Sequence, residues 1–148
     1  MPTLTIRWQR LLDEEGETCP RCGGTQAEVE KAVRLLRRAL DPRGIAVRSE
    51  ERGLTWKDFE RDPAASNRIW VAGKPLERWL GAGTGASPCC GACGDNDCRT
   101  VTVGGRSYET IPSRLIVSAG LKAAAGLTRP ARGSAGKRRS ARAPRRAR

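Results

Sequence analysis

Two cysteines separated by two residues, Cys19 and Cys22, are the residues of this chain best suited to chemistry. They stand in the run Cys-Pro-Arg-Cys-Gly, which is followed by a segment with helical periodicity. Thiols at this spacing can close a disulfide, bind a metal ion or attack a substrate. The positive end of a helix macrodipole stabilises the thiolate that each of these reactions uses. The pair is therefore the first candidate for a functional centre.

A second group of four cysteines stands about half the chain length away, at Cys89, Cys90, Cys93 and Cys98. Each group contains a Cys-X-X-Cys-Gly run, the pattern of a zinc-ribbon knuckle, in which the glycine lets backbone amides turn toward sulfur. Adjacent cysteines rarely bind one small ion together, so we expect at most three of the distal four in one coordination shell. Two four-sulfur sets remain open: the distal set Cys89, Cys90, Cys93 and Cys98, and the mixed set Cys19, Cys22, Cys90 and Cys93.

The absence of histidine narrows the chemistry that the chain can support. It removes imidazole metal ligands, the Cys-His nucleophile pair and the usual proton shuttle near neutral pH. No apolar run approaches the roughly 18 residues of a membrane span, and the amino terminus lacks the apolar segment of a signal peptide. We therefore predict a cytoplasmic protein without membrane contact. In that reducing compartment its cysteines are catalytic, redox-active or metal-binding rather than a disulfide framework.

The net charge of +12 is concentrated at the carboxyl end of the 148-residue chain. Residues 128–148 contain nine of the 28 basic residues and no acidic one, which leaves 19 basic and 16 acidic residues in 1–127. We predict one domain over 1–127 and a disordered tail over 128–148, because the tail has almost nothing to bury. The tail could neutralise phosphates but has no aromatic residue for stacking, so nucleic-acid or polyanion contact through it would be non-specific.

Hydrophobic periodicity predicts a βαβ unit at the start of the chain. Thr3 to Trp8 alternates like a strand, and the helix that follows is predicted to begin at Thr25, with Glu28 completing a capping box. The remaining predicted elements are a second strand at 45–48, a short helix at 54–59, a strand, glycine turn and return segment at 67–76, a helical turn at 77–80, a flexible loop at 81–88, a hairpin at 99–111 and a helix from Pro112.

This order of elements, with Cys-Pro-X-Cys between the first strand and its helix, resembles the thioredoxin and glutaredoxin superfamily. The runs Trp-Gln-Arg-Leu at 8–11, Gly-Glu-Thr-Cys-Pro-Arg-Cys at 16–22 and Ser-Asn-Arg-Ile-Trp at 66–70, with Cys89-Cys90, also look like an uncharacterised bacterial and archaeal family of thioredoxin-like proteins, a domain of unknown function. The resemblance implies an α/β thioredoxin-like fold over residues 3–127, carrying a cysteine-rich loop and a hairpin insertion. It implies no established activity.

The chain departs from the redox superfamily in two respects. The helix start predicted at Thr25 lies after Cys22, whereas a redox-active first cysteine of that superfamily usually stands at the helix amino terminus, so a weaker effect of the dipole on Cys19 is expected. The second departure is a missing proline. That superfamily has a cis-proline before its third strand, packed against the active pair, whereas Ser66-Asn67 stands there in this sequence. A substrate-binding feature of the superfamily is thus absent or replaced.

Two functions follow from these residues. Under the redox interpretation, Cys19 attacks a disulfide of a protein or small thiol and Cys22 resolves the mixed disulfide. Under the alternative, the chain is a non-enzymatic protein that holds Zn²⁺ or a soft ion such as arsenite, mercuric or cuprous ion on its cysteines. We expect the four tryptophans to supply large core side chains rather than a stacking surface.

Overall fold

The computed structural model describes residues 1–12, 20–88 and 97–128, with the backbone alone for residues 20–22. Over these ranges the chain forms a mixed α/β fold with two sheets and four helices. The elements in chain order are β1 (Thr3–Leu11), α1 (Pro20–Leu40), β2 (Ala46–Leu54), α2 (Trp56–Arg61), β3 (Arg68–Val71), β4 (Lys74–Pro75), α3 (Leu76–Leu80), β5 (Gly83–Pro88), β6 (Asp97–Val103), β7 (Arg106–Tyr108) and α4 (Ser113–Thr128). Short 3₁₀ turns lie at Asp41–Arg43 and Pro63–Ala65.

The main sheet has the strand order β2-β1-β3-β4. The predicted βαβ unit is confirmed, since β1 and β2 are parallel and α1 connects them, while β3 is antiparallel to β1 and β4 is antiparallel to β3. The second strand runs to Leu54 instead of ending at Arg48. It does so because every residue of β2 pairs with β1, from Thr3 opposite Ala46 to Leu11 opposite Leu54.

One face of the main sheet forms the core with α1 and α4. Leu4, Ile6 and Trp8 of β1 are fully buried there. At Gly120 of α4, a Cβ atom would lie 2.7 Å from Leu36 Cδ1 of α1, so the missing side chain allows the two helices to pack closely. None of the helices in the described ranges is both long and apolar enough to cross a bilayer.

The second sheet is antiparallel, in the order β5-β6-β7. The predicted hairpin is confirmed, with Gly104 and Gly105 at φ 58° and 79° in the turn between β6 and β7. The prediction of a flexible loop at 81–88 is wrong, because residues 83–88 form β5 and pair with β6. Small residues serve close packing here, since a Cβ at Gly85 would lie 2.6 Å from Thr100 Oγ1.

The amino terminus of α1 differs from its predicted position. The helix begins at Pro20 rather than Thr25, and proline suits the first helical position because that residue's N–H has no partner in the helix. The predicted capping box is also wrong. The Thr25 hydroxyl accepts a hydrogen bond from the Ile111 amide at 3.2 Å, and the Glu28 carboxylate accepts one from the Ser113 amide at 2.6 Å. Both side chains therefore hold the start of α4.

Glu28 gives the fold a measurable dependence on pH. The backbone and side-chain hydrogen bonds of Ser113 lower the pKa of Glu28 below its ordinary value of 4.5. A lowered pKa in the folded state adds stability that is complete above the unfolded value and is lost as pH falls through the folded value. We expect Glu28→Gln to reduce the free energy of unfolding by about 1 kcal/mol at pH 7.

Urea unfolding at a series of pH values tests this expectation. The gap between the wild type and Glu28→Gln should close as pH falls below 4.5. Glu30→Gln, at an exposed position of the same helix, serves as the matched control and should follow the wild type. A gap of constant size from pH 7 to pH 3 would contradict the assigned role of the Glu28 charge.

Candidate functional site

The Cys19 and Cys22 pair flanks the start of α1. Cys19 immediately precedes Pro20, the first helical residue, and the backbone of Cys22 lies in the first turn. Cys19 itself and the side chain of Cys22 lie outside the described residues. The first turn contains no acidic residue, so no carboxylate within it opposes the positive end of the helix dipole.

Arg10 brings a positive charge to the carboxyl end of β1, the strand from which the chain runs on to Cys19. Its guanidinium lies 4.8 Å from the centre of the Trp8 ring and is paired with Glu51 at 3.0 Å. The Arg10 Nε atom is buried and has no hydrogen-bond partner among the described residues. Arg10 was not predicted as a site residue. The signal available in the sequence was its position two residues after Trp8, which places both side chains on one face of a strand.

Ser66 and Asn67 form a buried polar pair at the same end of β1. Both are almost fully buried, and Asn67 immediately precedes β3. The Ser66 hydroxyl accepts a hydrogen bond from the Leu11 amide at 3.1 Å. Peptide bonds within the described ranges are all trans, so the position that the resemblance assigns to a cis-proline holds two polar side chains instead.

Asn67 adopts a left-handed backbone conformation with φ of 58°. Asparagine tolerates this region better than most residues, since its short polar side chain can bond locally. Its Oδ1 accepts a hydrogen bond from Trp8 Nε1 at 3.4 Å, and its Nδ2 donates to the Glu109 carbonyl at 2.9 Å. The residue thereby joins the end of β1 to the segment that precedes α4.

We expect Asn67→Ala to reduce the free energy of unfolding by about 2–3 kcal/mol, through two lost hydrogen bonds and a strained backbone. Asn67→Gly loses the same bonds but tolerates the positive φ, so its cost should be smaller by about 1 kcal/mol. Chemical denaturation of both variants measures the difference. An equal loss in the two variants would show that the backbone conformation contributes nothing.

The segment from Glu109 to Ile111 connects the regions that flank both cysteine groups. On one side, the Ser87 hydroxyl, two residues before Cys89, hydrogen-bonds the Glu109 carboxylate at 2.8 Å. On the other, a Cβ at Gly24, two residues after Cys22, would lie 3.0 Å from Thr110 Oγ1. The described neighbours of the two groups thus contact two consecutive residues, Glu109 and Thr110.

The distal cysteine group is described only at Cys98. This residue lies in β6, is fully buried and packs with Leu11 of β1 and Phe59 of α2. Pro88 and Asp97 are paired across β5 and β6, so the segment 89–96 starts and ends at neighbouring positions. Cys89, Cys90 and Cys93 lie outside the described residues, as do the predicted tail residues from 129 onward.

The predicted metal sets stay predictions. Within the described ranges, no group of three or more cysteine, aspartate or glutamate side chains is placed to hold a metal ion. Both the distal set and the mixed set include cysteines outside those ranges.

A buried ion pair, which was not predicted from the sequence, lies beside Cys98. Arg99 Nε lies 3.0 Å from Glu77 Oε1, with both side chains less than a tenth exposed. The Arg99 guanidinium also donates to the Ala64 carbonyl at 2.8 Å and to the Thr84 hydroxyl at 3.1 Å. It therefore ties β6, which carries Cys98, to the turn that leads into Ser66.

The tryptophans divide between core and surface. Trp8 is fully buried, and Trp79 packs on the core with its indole N–H donated to the Val71 carbonyl at 2.7 Å. Trp56 is 43% exposed and Trp70 is partly exposed on the outer face of the main sheet. The expectation that all four serve the core is therefore correct for Trp8 and Trp79 and wrong for Trp56, whose ring contacts Phe59 at a centroid distance of 5.5 Å but is otherwise exposed on α2.

Comparison with known proteins gives two matches. A family model described as a domain of unknown function, DUF2703, matches residues 4–120. An uncharacterized protein of Archaeoglobus fulgidus is 46% identical over 113 residues, which is 76% of this chain and 82% of that relative. No solved structure matches the chain.

Proposed function

We propose that this chain, which belongs to the DUF2703 family, is a thiol–disulfide exchange protein in which Cys19 and Cys22 are the exchanging pair. The observation that carries the proposal is the start of α1 at Pro20, the residue that follows Cys19 in the sequence, with the backbone of Cys22 in the first turn. Thiolates at helix amino termini are stabilised by the dipole, whose effect falls off within one turn. A helix beginning at Thr25 would have left the pair outside that range.

The proposal includes a thioredoxin-like fold for the main sheet and its helices. Its support is the element order: β1, α1 and a parallel β2, then a short α2, β3, a glycine turn, β4 and the late helix α4. The turn after β3 has Ala72 and Gly73 at φ 50° and 77°. In this fold, Ser66 and Asn67 take the place of the proline that precedes the third strand.

The exchange proceeds in two substitutions at sulfur. The Cys19 thiolate attacks one sulfur of the partner disulfide, forming a mixed disulfide, and the displaced partner thiolate takes a proton from solvent. The Cys22 thiolate then attacks the Cys19 sulfur and releases the second partner thiol. Two electrons pass to the partner, and Cys19 and Cys22 are left as a disulfide. Two molecules of a small thiol restore the dithiol by two further exchanges and leave as their own disulfide.

A zinc or soft-metal protein is the second candidate. One observation favours it: the neighbours of Cys22 and of Cys89, Gly24 and Ser87, both contact the Glu109–Ile111 segment. If the knuckles of the mixed set meet there, four thiolates at about 2.3 Å would close a tetrahedral site.

Redox titration and metal analysis of the same preparation separate the two candidates. The protein is purified without chelator, its zinc content is measured, and its thiols are counted after equilibration in glutathione buffers. We expect a folded protein without bound zinc and with a reversible Cys19–Cys22 disulfide identified by peptide mass. Cys98→Ala serves as the control and should keep that disulfide. One zinc ion per chain, with unfolding on its removal, would overturn exchange in favour of a metal-dependent fold.

A further inference from the structure

The face of the main sheet opposite α1 and α4 carries arginines around one tryptophan. We call this surface the arginine face and define it by Arg7, Arg48, Glu50, Arg52, Arg68 and Trp70. The register places Glu50, Arg7 and Trp70 in one row across β2, β1 and β3. Arg52 and Arg68 occupy the next row on either side of Gln9. Neighbouring rows lie about 7 Å apart and neighbouring strands about 4.8 Å apart.

The charge of the arginine face is strongly positive. It contains four arginines and one acid, a net charge of +3 that equals the whole excess of 19 basic over 16 acidic residues in 1–127. Glu50 is paired with Arg7 at 2.9 Å, with side chains 38% and 48% exposed. Arg48 and Arg52 are exposed, and no ion pair is formed by either within the described part of the chain. Among the described residues, Arg48 and Arg52 are therefore two exposed cations without an ion-pair partner.

Trp70 provides a flat aromatic surface among these charges. The Arg68 guanidinium lies 4.8 Å from the centre of its ring, so the two side chains form a stacked pair on β3. Both are partly exposed, unlike Ile69 between them, which points into the core. An arginine and an indole stacked in this way offer planar surfaces on which a nucleobase can stack.

The middle of this face is open over the described ranges. At the carboxyl end of β1, Gln9 donates to the Ala65 carbonyl and Leu11 packs with Phe59, so the Pro63–Ala65 turn and α2 cover that end. Toward the amino end, Thr3 and Arg7 are exposed. The two long helices pack on the opposite face, where Leu4, Ile6 and Trp8 are buried.

We propose that the arginine face binds single-stranded nucleic acid, independently of the thiol chemistry. Arg48 and Arg52 would neutralise phosphates, while Trp70 and Arg68 would stack an unpaired base. The positive charge of the face identifies the bound molecule as a polyanion. The stacked pair of Arg68 and Trp70 favours a polyanion with unpaired bases rather than an acidic protein. The basic residues from 129 onward have the same sign as this face, so they are not its complement. We expect little dependence on base sequence, because phosphate neutralisation and base stacking, the two contacts assigned to this face, do not distinguish the bases.

Fluorescence anisotropy with a labelled dT20 oligonucleotide tests the proposal on the full chain. We expect Arg48→Glu/Arg52→Glu to weaken binding at least about tenfold at 0.1 M salt and to lower the salt slope by about 1.4, or about 0.7 for each lost phosphate contact. The matched control is Arg34→Glu/Arg38→Glu, which makes the same change in net charge at exposed positions of α1. Apart from the long-range effect of net charge, which both double variants share, the affinity of the control for dT20 should stay within about twofold of wild type. Equal losses in the two double variants would overturn the proposal.

Replacing Trp70 tests the proposal without changing the net charge of the protein. Trp70→Leu should weaken dT20 binding about tenfold, whereas Trp56→Leu, at the exposed tryptophan of α2, should bind like wild type. Thermal melts establish that each variant folds, and Arg68→Gln replaces Trp70→Leu if that variant does not. Wild-type affinity in the folded variant would overturn the proposal. Displacement of dT20 by polyglutamate as readily as by unlabelled dT20 would also overturn it, by identifying an acidic protein as the natural occupant.

Discussion

Replacing Cys19 by serine is expected to lower disulfide reductase turnover below about 1% of the wild-type rate, because a hydroxyl group does not form the attacking anion near pH 7. The assay follows reduction of a protein disulfide by a small thiol in the presence of catalytic amounts of the chain. Cys22→Ser should also stop turnover, but it should accumulate the mixed disulfide on Cys19, which mass spectrometry detects. The two variants therefore fail at different steps.

The position of α1 predicts the pH at which Cys19 becomes reactive. With the helix starting at Pro20, we expect the helix dipole to favour the Cys19 thiolate at pH values below about 8.5, where an ordinary thiol is mostly protonated. The rate of alkylation by iodoacetamide at Cys19 should therefore level off below that pH. Cys98→Ala should keep both turnover and this profile. Unchanged turnover in Cys19→Ser would remove the redox function whatever the profile shows.

The βαβ unit, the hairpin and the last helix could be predicted from the sequence because each has a local signal. Alternation of Leu4, Ile6 and Trp8 follows the two-residue period of a strand with one buried face. Gly104 and Gly105 supply the positive φ that a tight turn between two strands requires. Such signals depend on residues that are neighbours in the chain, so no knowledge of the tertiary structure is needed.

The start of α1 and the existence of β5 could not be predicted in the same way. Thr25 and Glu28 fit a capping box in the sequence, yet both accept hydrogen bonds from residues more than 80 positions away, at Ile111 and Ser113. The glycines of β5 look like loop residues until Thr100 lies opposite Gly85. Long-range partners decide both cases, and a local pattern does not contain them.

The candidate site likewise has features that the sequence predicts and features that depend on long-range contacts. The sequence identifies the cysteines by type and spacing, but the convergence of their neighbours on Glu109 and Thr110 depends on tertiary contacts. From the sequence, Ser66 and Asn67 stand out only because the resemblance implies a proline there, whereas the structure shows that both are buried and hydrogen-bonded to β1 or to Glu109.

The ion pair of Arg99 and Glu77 is expected to be the most costly contact to break from one side. Arg99→Met should reduce the free energy of unfolding by about 3–5 kcal/mol, since it leaves the Glu77 carboxylate buried without its partner. The double variant Arg99→Met/Glu77→Leu removes both charges and should lose less than the single variant, because no unpaired charge stays in the interior. Urea unfolding at pH 7 measures the free energy of unfolding of both variants. Their difference separates the cost of burying an unpaired carboxylate from the stabilisation that the ion pair itself provides.

The exposed pair of Arg7 and Glu50 is the matched control for this measurement. Its Nη2–Oε2 distance of 2.9 Å is close to the 3.0 Å between Arg99 Nε and Glu77 Oε1, but its side chains are 48% and 38% exposed rather than 8% and 9%. Solvent screens an exposed pair, so Arg7→Met should cost no more than about 1 kcal/mol. Similar losses from Arg7→Met and Arg99→Met would contradict the role of burial. If burial is decisive, Arg99→Met should also weaken the attachment of β6 to the turn before Ser66, because the Arg99 guanidinium donates to the Ala64 carbonyl in that turn.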